Sequence, residues 1–323
     1  MSRHPVRCGF LHGRRVSRPC SAPAICDSWG MAPRTRGSAP DVTRPALRYH
    51  GGKFRLAPWI VQFFPPHACY VEPFGGAASV LLRKPRSYAE VYNDLDGDIV
   101  NFFRVVRDRA MCADLIEACR LTPYARDEFT LAYEPTDDPL ERARRTAVRA
   151  AMGFGSAGAT KASTGFRVDT KRKYSTAQHD WMSYPAVLGQ VGARFGCVLI
   201  ENRDAIEVLQ AHDGPDTLHF VDPPYVHETR VMRVGGGYRH ELDDAQHRRL
   251  LQALQAVDGM VVLCGYPCDL YDAALSGWER HETSARISSA RGGGVRTEVV
   301  WINPACAAAL AGARSDLFAE AAR

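Results

Sequence analysis

The sequence contains little that would hold a metal ion or cross a membrane. None of its ten cysteines lies in a CxxC pair, and the closest spacings, Cys20/Cys26 and Cys264/Cys268, have no cysteine or histidine cluster beside them that would complete a metal site. No apolar run approaches the roughly 18 residues that a membrane helix needs, and the N-terminus lacks the apolar centre of a signal peptide. We therefore expect free thiols, no metal site and a cytoplasmic location.

Glycine-based signatures for nucleotide phosphates are missing from the places where they would act. The loop after the first predicted strand contains two adjacent glycines, Gly75 and Gly76, but it lacks the GxGxxG spacing. No GxxxxGK[ST] sequence occurs, and the GGK at residues 51–53 is too short to form a phosphate loop. These absences argue against a dinucleotide or a nucleoside triphosphate as the ligand.

Positive charge is in excess, and it is concentrated in two segments. The net charge is +5, whereas residues 1–40 carry +6 and residues 142–173 carry +8, which leaves −9 for the remainder of the chain. The first segment is rich in Arg, Ser, Pro and Gly without an apolar period, which predicts a disordered tail. It either binds nucleic acid weakly or precedes a translation start at Met31, and we favour the second interpretation.

The second basic segment predicts that an otherwise acidic body contacts a polyanion at one place. It contains the loop GFGSAGATKASTGF at residues 153–166, in which Phe154 and Phe166 could stack on bases. A solvated helix face followed by a loop is the alternative explanation for this charge run. The side chains expected to contact nucleic acid are Arg142, Arg145, Arg149, Lys161, Arg167, Lys171, Arg172 and Lys173.

Elsewhere, short apolar strands alternate with amphipathic helices. Strands are predicted at residues 70–74, 89–93, 198–202, 216–221, 260–264 and 296–302. Helices are predicted over residues 77–82, from Asp96, after Asp204 and over residues 247–256. This alternation predicts an α/β fold whose ligands bind at the carboxyl ends of the strands.

A glycine-rich turn and an acidic residue stand at two of those carboxyl ends. Gly75 and Gly76 follow the first predicted strand, and Asp94, which lies 22 residues after Glu72, ends the second. Glycine lets a ligand approach the backbone, and a carboxylate at this place can accept both ribose hydroxyls of an adenosine group. A simple turn and a helix cap are the alternative explanations.

The sequence DPPY at residues 222–225 follows a predicted buried strand. Asp222 can accept a hydrogen bond from an exocyclic amino group, and the Pro223 carbonyl can accept a second one. These bonds would draw the nitrogen lone pair out of ring conjugation, while the Tyr225 ring offers a flat apolar face to a purine. The two prolines, Pro223 and Pro224, restrict the backbone of the turn. A strand-ending turn with an incidental acid is the alternative.

Six segments together resemble the successive motifs of the Dam-like adenine-N6 DNA methyltransferases, the D12 class, alpha group. They span residues 47–303 and read RYHGGK (48–53), VEPFGGAASVLL (71–82), YNDLD (92–96), FVDPPY (220–225), LCGYP (263–267) and EVVWIN (298–303). The resemblance implies a Rossmann-like α/β sheet with helices on both faces and an inserted, mostly helical target-recognition region. Its implied boundaries are a disordered basic tail at 1–40, a catalytic domain at 41–109 and 195–305, the DNA-binding insertion at 110–194, and a C-terminal tail at 306–323.

The resemblance also implies which residues bind S-adenosylmethionine and carry the reaction. The implied cofactor-binding residues are Tyr49, Gly51, Gly52, Lys53, Glu72, Pro73, Phe74, Gly75, Gly76, Asp94, Asp204 and Asp222. The family often has an aromatic residue after the position of Asp204, where this sequence has Ala205. The implied catalytic residues are Asp222, Pro223, Pro224 and Tyr225.

The implied activity is site-specific methylation of adenine N6 in double-stranded DNA. The target base is flipped out of the duplex, and the methyl group passes directly from S-adenosylmethionine to the exocyclic amine. Cytosine-N4 methylation is one alternative, and a non-catalytic DNA-binding relative is the other, although the intact Lys53, Asp94 and Asp222 oppose it. We expect a monomer, for which a cognate restriction endonuclease would be a fitting partner.

Overall fold

The structure is a computed structural model that describes residues 42–160, 163–168, 170, 176–229, 237–287 and 294–321. Within these residues, a seven-stranded sheet carries helices on both faces. The predicted α/β class is therefore confirmed. The predicted disordered tail at residues 1–40 lies outside the described residues. No helix in the described part of the chain is long and apolar enough to cross a membrane.

The strand order brings the carboxyl ends of the first, second and fourth strands together. The strands are β1 (Cys69–Glu72), β2 (Ala89–Asn93), β3 (Val198–Glu201), β4 (Thr217–Val221), β5 (Met260–Gly265), β6 (Glu279–Ile287) and β7 (Gly294–Ile302). Their order across the sheet is β3-β2-β1-β4-β5-β7-β6, in which β7 runs antiparallel to both neighbours and the first five strands are parallel. The order reverses between β1 and β4, and such a switch point leaves a crevice at the carboxyl ends of the strands.

The described helices cover both faces of this sheet. They are α1 (Ala57–Ile60), α2 (Gly97–Arg107), α3 (Arg109–Leu121), α4 (Arg126–Leu131), α5 (Pro139–Met152), α6 (Ala177–Met182), α7 (Pro185–Phe195), α8 (Ala205–Ala211), α9 (Asp244–Ala256), α10 (Asp269–Ala274) and α11 (Pro304–Ala321). Alternate strand residues point to opposite faces. In β5, Val262 and Cys264 join the core under α2, α3, α5 and α7, whereas Val261 and Leu263 join the core under α9 and α10.

The region predicted as an insertion is helical and packs on the same core. Residues 110–194 contain most of α3 and nearly all of the segment from α4 to α7. Leu188 and Val191 of α7 are buried in the same hydrophobic cluster as Phe103 of α2. Trp181 of α6 is buried and donates to the Thr122 carbonyl at 2.8 Å. The role of this region in target recognition stays a prediction.

The predicted helix over residues 77–82 is wrong. This segment is a succession of turns, in which Ala78 has a φ of +53°, and Gly76, directly before the segment, has a φ of +48°. Left-handed backbone of this kind does not continue a right-handed helix. In addition, the Leu81 amide donates to the Glu72 carboxylate at 3.1 Å, so a buried acid stabilises the turns.

β6 and α11 have no counterpart in the prediction, and neither do the short helices α1 and α10. β6 reads ERHETSARI and pairs with β7 over nine residues, from Glu279 to Ile287. Its charged side chains give it none of the apolar character on which the other strands were predicted. α11 occupies the region predicted as a C-terminal tail, where Cys306 is buried and contacts the Phe63 carbonyl through its thiol.

Candidate active site

A pocket opens at the switch point of the sheet. It encloses about 770 Å³ of empty space, part of which lies in the open mouth. Its lining residues belong to the segments 49–53, 72–80, 94–96 and 220–224, to residue 205 and to the segment 238–242, although residues 78, 221, 223 and 241 do not line it. These segments reach the pocket from the carboxyl ends of β1, β2 and β4 and from the loops around them. This place, at the carboxyl ends of parallel strands and at a switch point, is where α/β folds bind small molecules.

The turn after β1 requires glycine because aromatic rings lie against it. A Cβ atom on Gly75 would lie 2.1 Å from the Tyr92 ring, and one on Gly76 would lie 2.7 Å from the Tyr49 ring. The Tyr92 hydroxyl also donates to the Gly76 carbonyl at 2.6 Å. The packing thus holds this stretch of backbone as a wall of the pocket.

Glu72 ends β1 as a buried acid with defined donors. Its side chain accepts hydrogen bonds from the Tyr70 hydroxyl at 2.8 Å and from the Leu81 amide at 3.1 Å, both on Oε2. Burial raises the pKa of Glu72 to about 8, and these two donors oppose the rise. A positively charged ligand in the pocket would favour the ionised form.

Asp94 follows β2 and connects two walls of the pocket. Its carboxylate accepts from the Gly76 amide at 2.7 Å and from the Asp96 amide at 2.8 Å. Burial raises its pKa to about 6, although both amides oppose the rise. The cap of α2 is Asp96, which accepts from the Asp98 amide at 2.9 Å. Asp94 is therefore a pocket residue rather than the helix cap.

Lys53 and Asp222 form an ion pair at the base of the DPPY turn. Lys53 Nζ donates to Asp222 Oδ2 at 3.0 Å and to the Gly51 carbonyl at 2.9 Å. Asp222 Oδ1 is buried and has no hydrogen-bond partner among the described residues. Burial raises the pKa of Asp222, and the Lys53 ammonium opposes the rise. A buried acceptor of this kind needs a donor, and a ligand can supply one.

The Tyr225 ring is held by a residue that sequence reasoning did not single out. The Tyr225 hydroxyl donates to Oε2 of the buried Glu298 at 2.7 Å, and Lys53 Nζ lies 4.7 Å from the centre of the Tyr225 ring. Tyr266 packs edge-on against the Tyr225 ring at 4.5 Å. The one available signal was an acid at the start of the apolar stretch EVVWI of β7. Tyr238, Arg239, His240 and Leu242 also line the pocket without any such signal.

Comparison with known families shows to which class of enzyme this pocket belongs. A model of the D12 class N6 adenine-specific DNA methyltransferase family matches residues 49–286, most of the chain. The chain belongs to this family. The predicted resemblance is confirmed, and the protein is an adenine-specific DNA methyltransferase.

Two relatives agree with this assignment. The chain is 26% identical to the DNA adenine methylase of Haemophilus influenzae over 224 residues, which cover 66% of this chain and 75% of that protein. It is 32% identical to the DNA adenine methylase of Serratia marcescens over 101 residues, which cover 28% of this chain and 37% of that protein. The monomeric state, the cytoplasmic location and the restriction endonuclease partner stay predictions.

The pocket of the methyltransferase brings together the predicted cofactor residues except one. Its lining includes Tyr49, Gly51, Gly52, Lys53, Glu72, Pro73, Phe74, Gly75, Gly76, Asp94 and Asp222, together with Pro224 from the predicted catalytic set. Asp204 is not part of the lining; it is exposed and caps α8 by accepting from the Ile206 amide at 2.9 Å. Its neighbour Ala205 lines the pocket instead.

Four of the arginines predicted to contact DNA are bound within the protein. Arg142 and Arg149 both donate to Asp98, Arg145 donates to Glu141, and Arg167 pairs with Asp180. Arg149 and Arg167 are each only 7% exposed. Both guanidiniums are occupied by ion pairs within the protein, and the DNA contacts predicted for these arginines stay predictions. Lys161, Lys171, Arg172 and Lys173 lie outside the described residues.

A Gly75→Ala substitution is expected to destabilise the methyltransferase by about 1–3 kcal/mol. The added Cβ would overlap the Tyr92 ring, which is fully buried and cannot move without disturbing the core. The matched control is Gly277→Ala, because a Cβ on Gly277 meets nothing within 4 Å. Urea unfolding measures both variants; equal free energies of unfolding for the two would contradict this packing.

The free energy of unfolding of a Glu72→Gln variant, measured relative to that of the wild type, is expected to increase as the pH rises from 5 to 8. The folded-state pKa of Glu72, about 8, lies above its ordinary value of 4.5. The stability that Glu72 contributes is therefore fully present below pH 4.5 and is lost as the pH rises through about 8. Glutamine keeps an acceptor oxygen without titrating. Urea unfolding of both proteins over this range is the measurement, and a pH-independent difference would count against the shifted pKa.

Proposed function

We propose that this pocket binds S-adenosylmethionine and that Asp222 receives the N6 amine of an adenine flipped out of duplex DNA. The observation that carries the proposal is the Asp222 Oδ1 atom, a buried acceptor without a partner among the described residues. It belongs to the same pocket as Glu72 and Asp94, the acids next to the glycine-rich turn. One cavity thus offers a place for an adenosyl group beside an acceptor for an amine.

The lining suits a ligand that combines a purine, a ribose and a positive charge. Glu72 and Asp94 supply carboxyl groups for hydroxyls and cationic groups. Phe74 and Ala205 offer apolar surface for a purine, and Phe74 would take the place of the aromatic residue that the family often has after the position of Asp204. S-adenosylmethionine would supply an electrophilic methyl group on a sulfonium whose sulfur leaves as a neutral thioether.

Asp222 is prepared for the amine by its ion pair. Lys53 binds Oδ2, which fixes the carboxylate and directs the second oxygen, Oδ1, to the substrate. A hydrogen bond from adenine N6 to Oδ1 would localise the nitrogen lone pair, which could then attack the methyl group that the cofactor would supply. N6 would give up a proton in this reaction, and the raised pKa of Asp222 makes Oδ1 a suitable acceptor for it. Orientation of the two reactants supplies most of the remaining rate enhancement.

The Tyr225 ring is proposed to stack on the flipped-out adenine. Its hydroxyl is bound by Glu298 and its edge is packed by Tyr266, so the plane of the ring is fixed before a base arrives. A fixed aromatic face stacks on a purine with little loss of side-chain entropy. Pro223 and Pro224 restrict the backbone between Asp222 and Tyr225, which fixes the position of the Asp222 carboxylate relative to the Tyr225 ring.

The loop after α5 is proposed to contact DNA. Gly153 and Phe166 form an isolated bridge that closes the loop, and Phe154, inside the bridge, is 55% exposed. Phe166, by contrast, packs against Tyr124 and Phe129 with ring centroids 5.2 and 5.6 Å away. Of the two aromatics expected to stack on bases, Phe154 is therefore the one that keeps this proposed role.

Cofactor binding is tested by the melting temperature. A ligand that binds only the folded state must stabilise it, by about 2.7 kcal/mol at a concentration 100 times its Kd. We expect S-adenosylmethionine to raise the melting temperature and ATP to leave it unchanged, since the loop lacks a phosphate-binding sequence. An equal melting temperature with and without saturating S-adenosylmethionine would refute the proposed cofactor.

A further inference from the structure

One wall of the pocket is formed by Tyr238, Arg239, His240 and Leu242, which none of the six motif segments includes. The Tyr238 hydroxyl donates to the His50 carbonyl at 3.2 Å, and the two rings pack edge-on with centroids 5.1 Å apart. A Cβ on Gly51 would lie 2.2 Å from the Tyr238 hydroxyl, and one on Gly237 would lie 2.4 Å from the His50 ring. This wall therefore packs in direct contact with residues 49–53.

Arg239 connects the same wall to the part of the pocket at the start of α2. Its Nη1 atom donates to Asp96 Oδ1 at 3.0 Å and to Asp98 Oδ2 at 2.6 Å. The Asp96 amide in turn donates to Asp94 at 2.8 Å. Asp96 is thus the single residue between the Arg239 guanidinium and Asp94, the acid that connects the glycine-rich turn with α2.

The two carboxylates are fixed independently of Arg239. Asp96 caps α2, and Asp98 also accepts from Arg142 at 2.6 Å and from Arg149 at 2.8 Å. Burial opposes the ionisation of Asp98, but the three guanidiniums outweigh it and hold the Asp98 pKa well below its ordinary value. A preformed anion pair loses little conformational entropy when Arg239 binds to it.

We propose that Arg239 is a positioning residue for cofactor binding, which bridges Asp96 and Asp98 and thereby holds Tyr238 and His240 at the wall of the pocket. The inference rests on the proposed function, because it assigns S-adenosylmethionine to this pocket. Arg239 itself acts through the wall that it anchors. Its removal should weaken the binding of the cofactor more than it slows the transfer step at saturating cofactor.

Calorimetric titration of the full chain with S-adenosylmethionine tests this inference. Arg239→Met removes both ion pairs and is expected to raise the Kd about tenfold or more. Arg239→Lys is expected to restore most of the affinity, because one nitrogen makes both contacts and an ammonium can replace it. The matched control is Arg280→Met on β6: the Arg280 side chain is 34% exposed against 30% for Arg239, and it likewise pairs with two acids, Asp272 and Glu282, so that its loss should leave the Kd unchanged.

A second readout does not depend on the cofactor. The Gly237 and Tyr238 amides both donate to Glu241 Oε1 at 3.1 Å, and their hydrogen exchange in the free protein should be faster in Arg239→Met than in the wild type. Equal Kd values for the wild type and Arg239→Met would overturn the inference, as would unchanged exchange at these amides. If the wild type itself does not bind S-adenosylmethionine, the proposed function fails first, which separates the two outcomes.

Discussion

An Asp222→Asn variant is expected to transfer methyl groups at least about 100-fold more slowly than the wild type, with little change in its affinity for S-adenosylmethionine. Asparagine has a single acceptor oxygen, and the Lys53 ammonium, which lies 3.0 Å from the carboxylate, will attract it. The amide NH₂ group then faces the substrate amine, where it is a donor opposite a donor. The variant can neither localise the N6 lone pair nor accept its proton.

Asparagine is preferred to alanine at position 222 because the Lys53–Asp222 ion pair is buried. Asp222→Ala would leave Lys53, with a side chain only 7% exposed, without its carboxylate and could unfold the protein. Asparagine keeps the shape of the side chain and a partner for Lys53. The matched control is Asp258→Asn, an exposed acid just before β5 and thus at the opposite edge of the sheet. Single-turnover rates at saturating cofactor are compared; a near wild-type rate for Asp222→Asn would remove Asp222 from the mechanism.

A Glu90→Ala substitution is expected to lower the free energy of unfolding by about 3–5 kcal/mol. Glu90 of β2 is buried and accepts from Lys84 at 2.6 Å and from Arg194 at 2.8 Å, with a second, very short contact to Arg194. Lys84 is 1% exposed and Arg194 is 5% exposed. Removal of the carboxylate leaves two buried cations next to each other without the acid that pairs with both.

The dependence on pH provides an independent check of the same cluster. Burial opposes the ionisation of Glu90, but Arg194 and Lys84 outweigh it and lower the pKa of Glu90 from 4.5 to about 2. The stability that Glu90 contributes is therefore present above pH 4.5 and is lost as the pH falls through about 2. The Glu90→Ala variant should lack this acid-dependent loss.

The control for this cluster is an exposed ion pair. Glu207→Ala breaks the pair between Arg203, which precedes α8, and Glu207 on α8, in which the side chains are 44% and 59% exposed. It should change the free energy of unfolding by less than about 1 kcal/mol. Urea unfolding at neutral and acid pH measures all three proteins. A change below about 1 kcal/mol for Glu90→Ala as well would show that the buried cluster does not stabilise the fold.

Much of the sheet could be predicted because its strands are apolar and end in marked residues. β2 begins at Ala89 and ends at Asn93 as predicted, and Asp96 caps α2 where a helix start was expected. β6 could not be found in this way, because an edge strand buries little and shows no apolar stripe. The turns at Gly76 and Ala78 depend on the buried Glu72 carboxylate, which is a tertiary contact that no local propensity expresses.

The site was predictable where its residues directly follow strands. Glu72, Asp94 and Asp222 come from β1, β2 and β4, whose carboxyl ends meet at the switch point. Arg239 was not predictable, because its role arises from contacts with Asp96 and Asp98, about 140 residues earlier in the chain. The contacts of the individual arginines in the basic segment were not predictable either. Its charge indicates a polyanion, but the sequence does not show that Asp98 already neutralises Arg149 inside the protein.

The most direct test of the central claim is to incubate the protein with unmethylated plasmid and S-adenosylmethionine that carries a deuterated methyl group, and then to analyse the digested nucleosides by mass spectrometry. The account predicts N6-methyldeoxyadenosine that carries the label. The Asp222→Asn variant provides the control for background methylation. Labelled N4-methyldeoxycytidine in place of the adenine product, or no labelled nucleoside at all, would contradict the account.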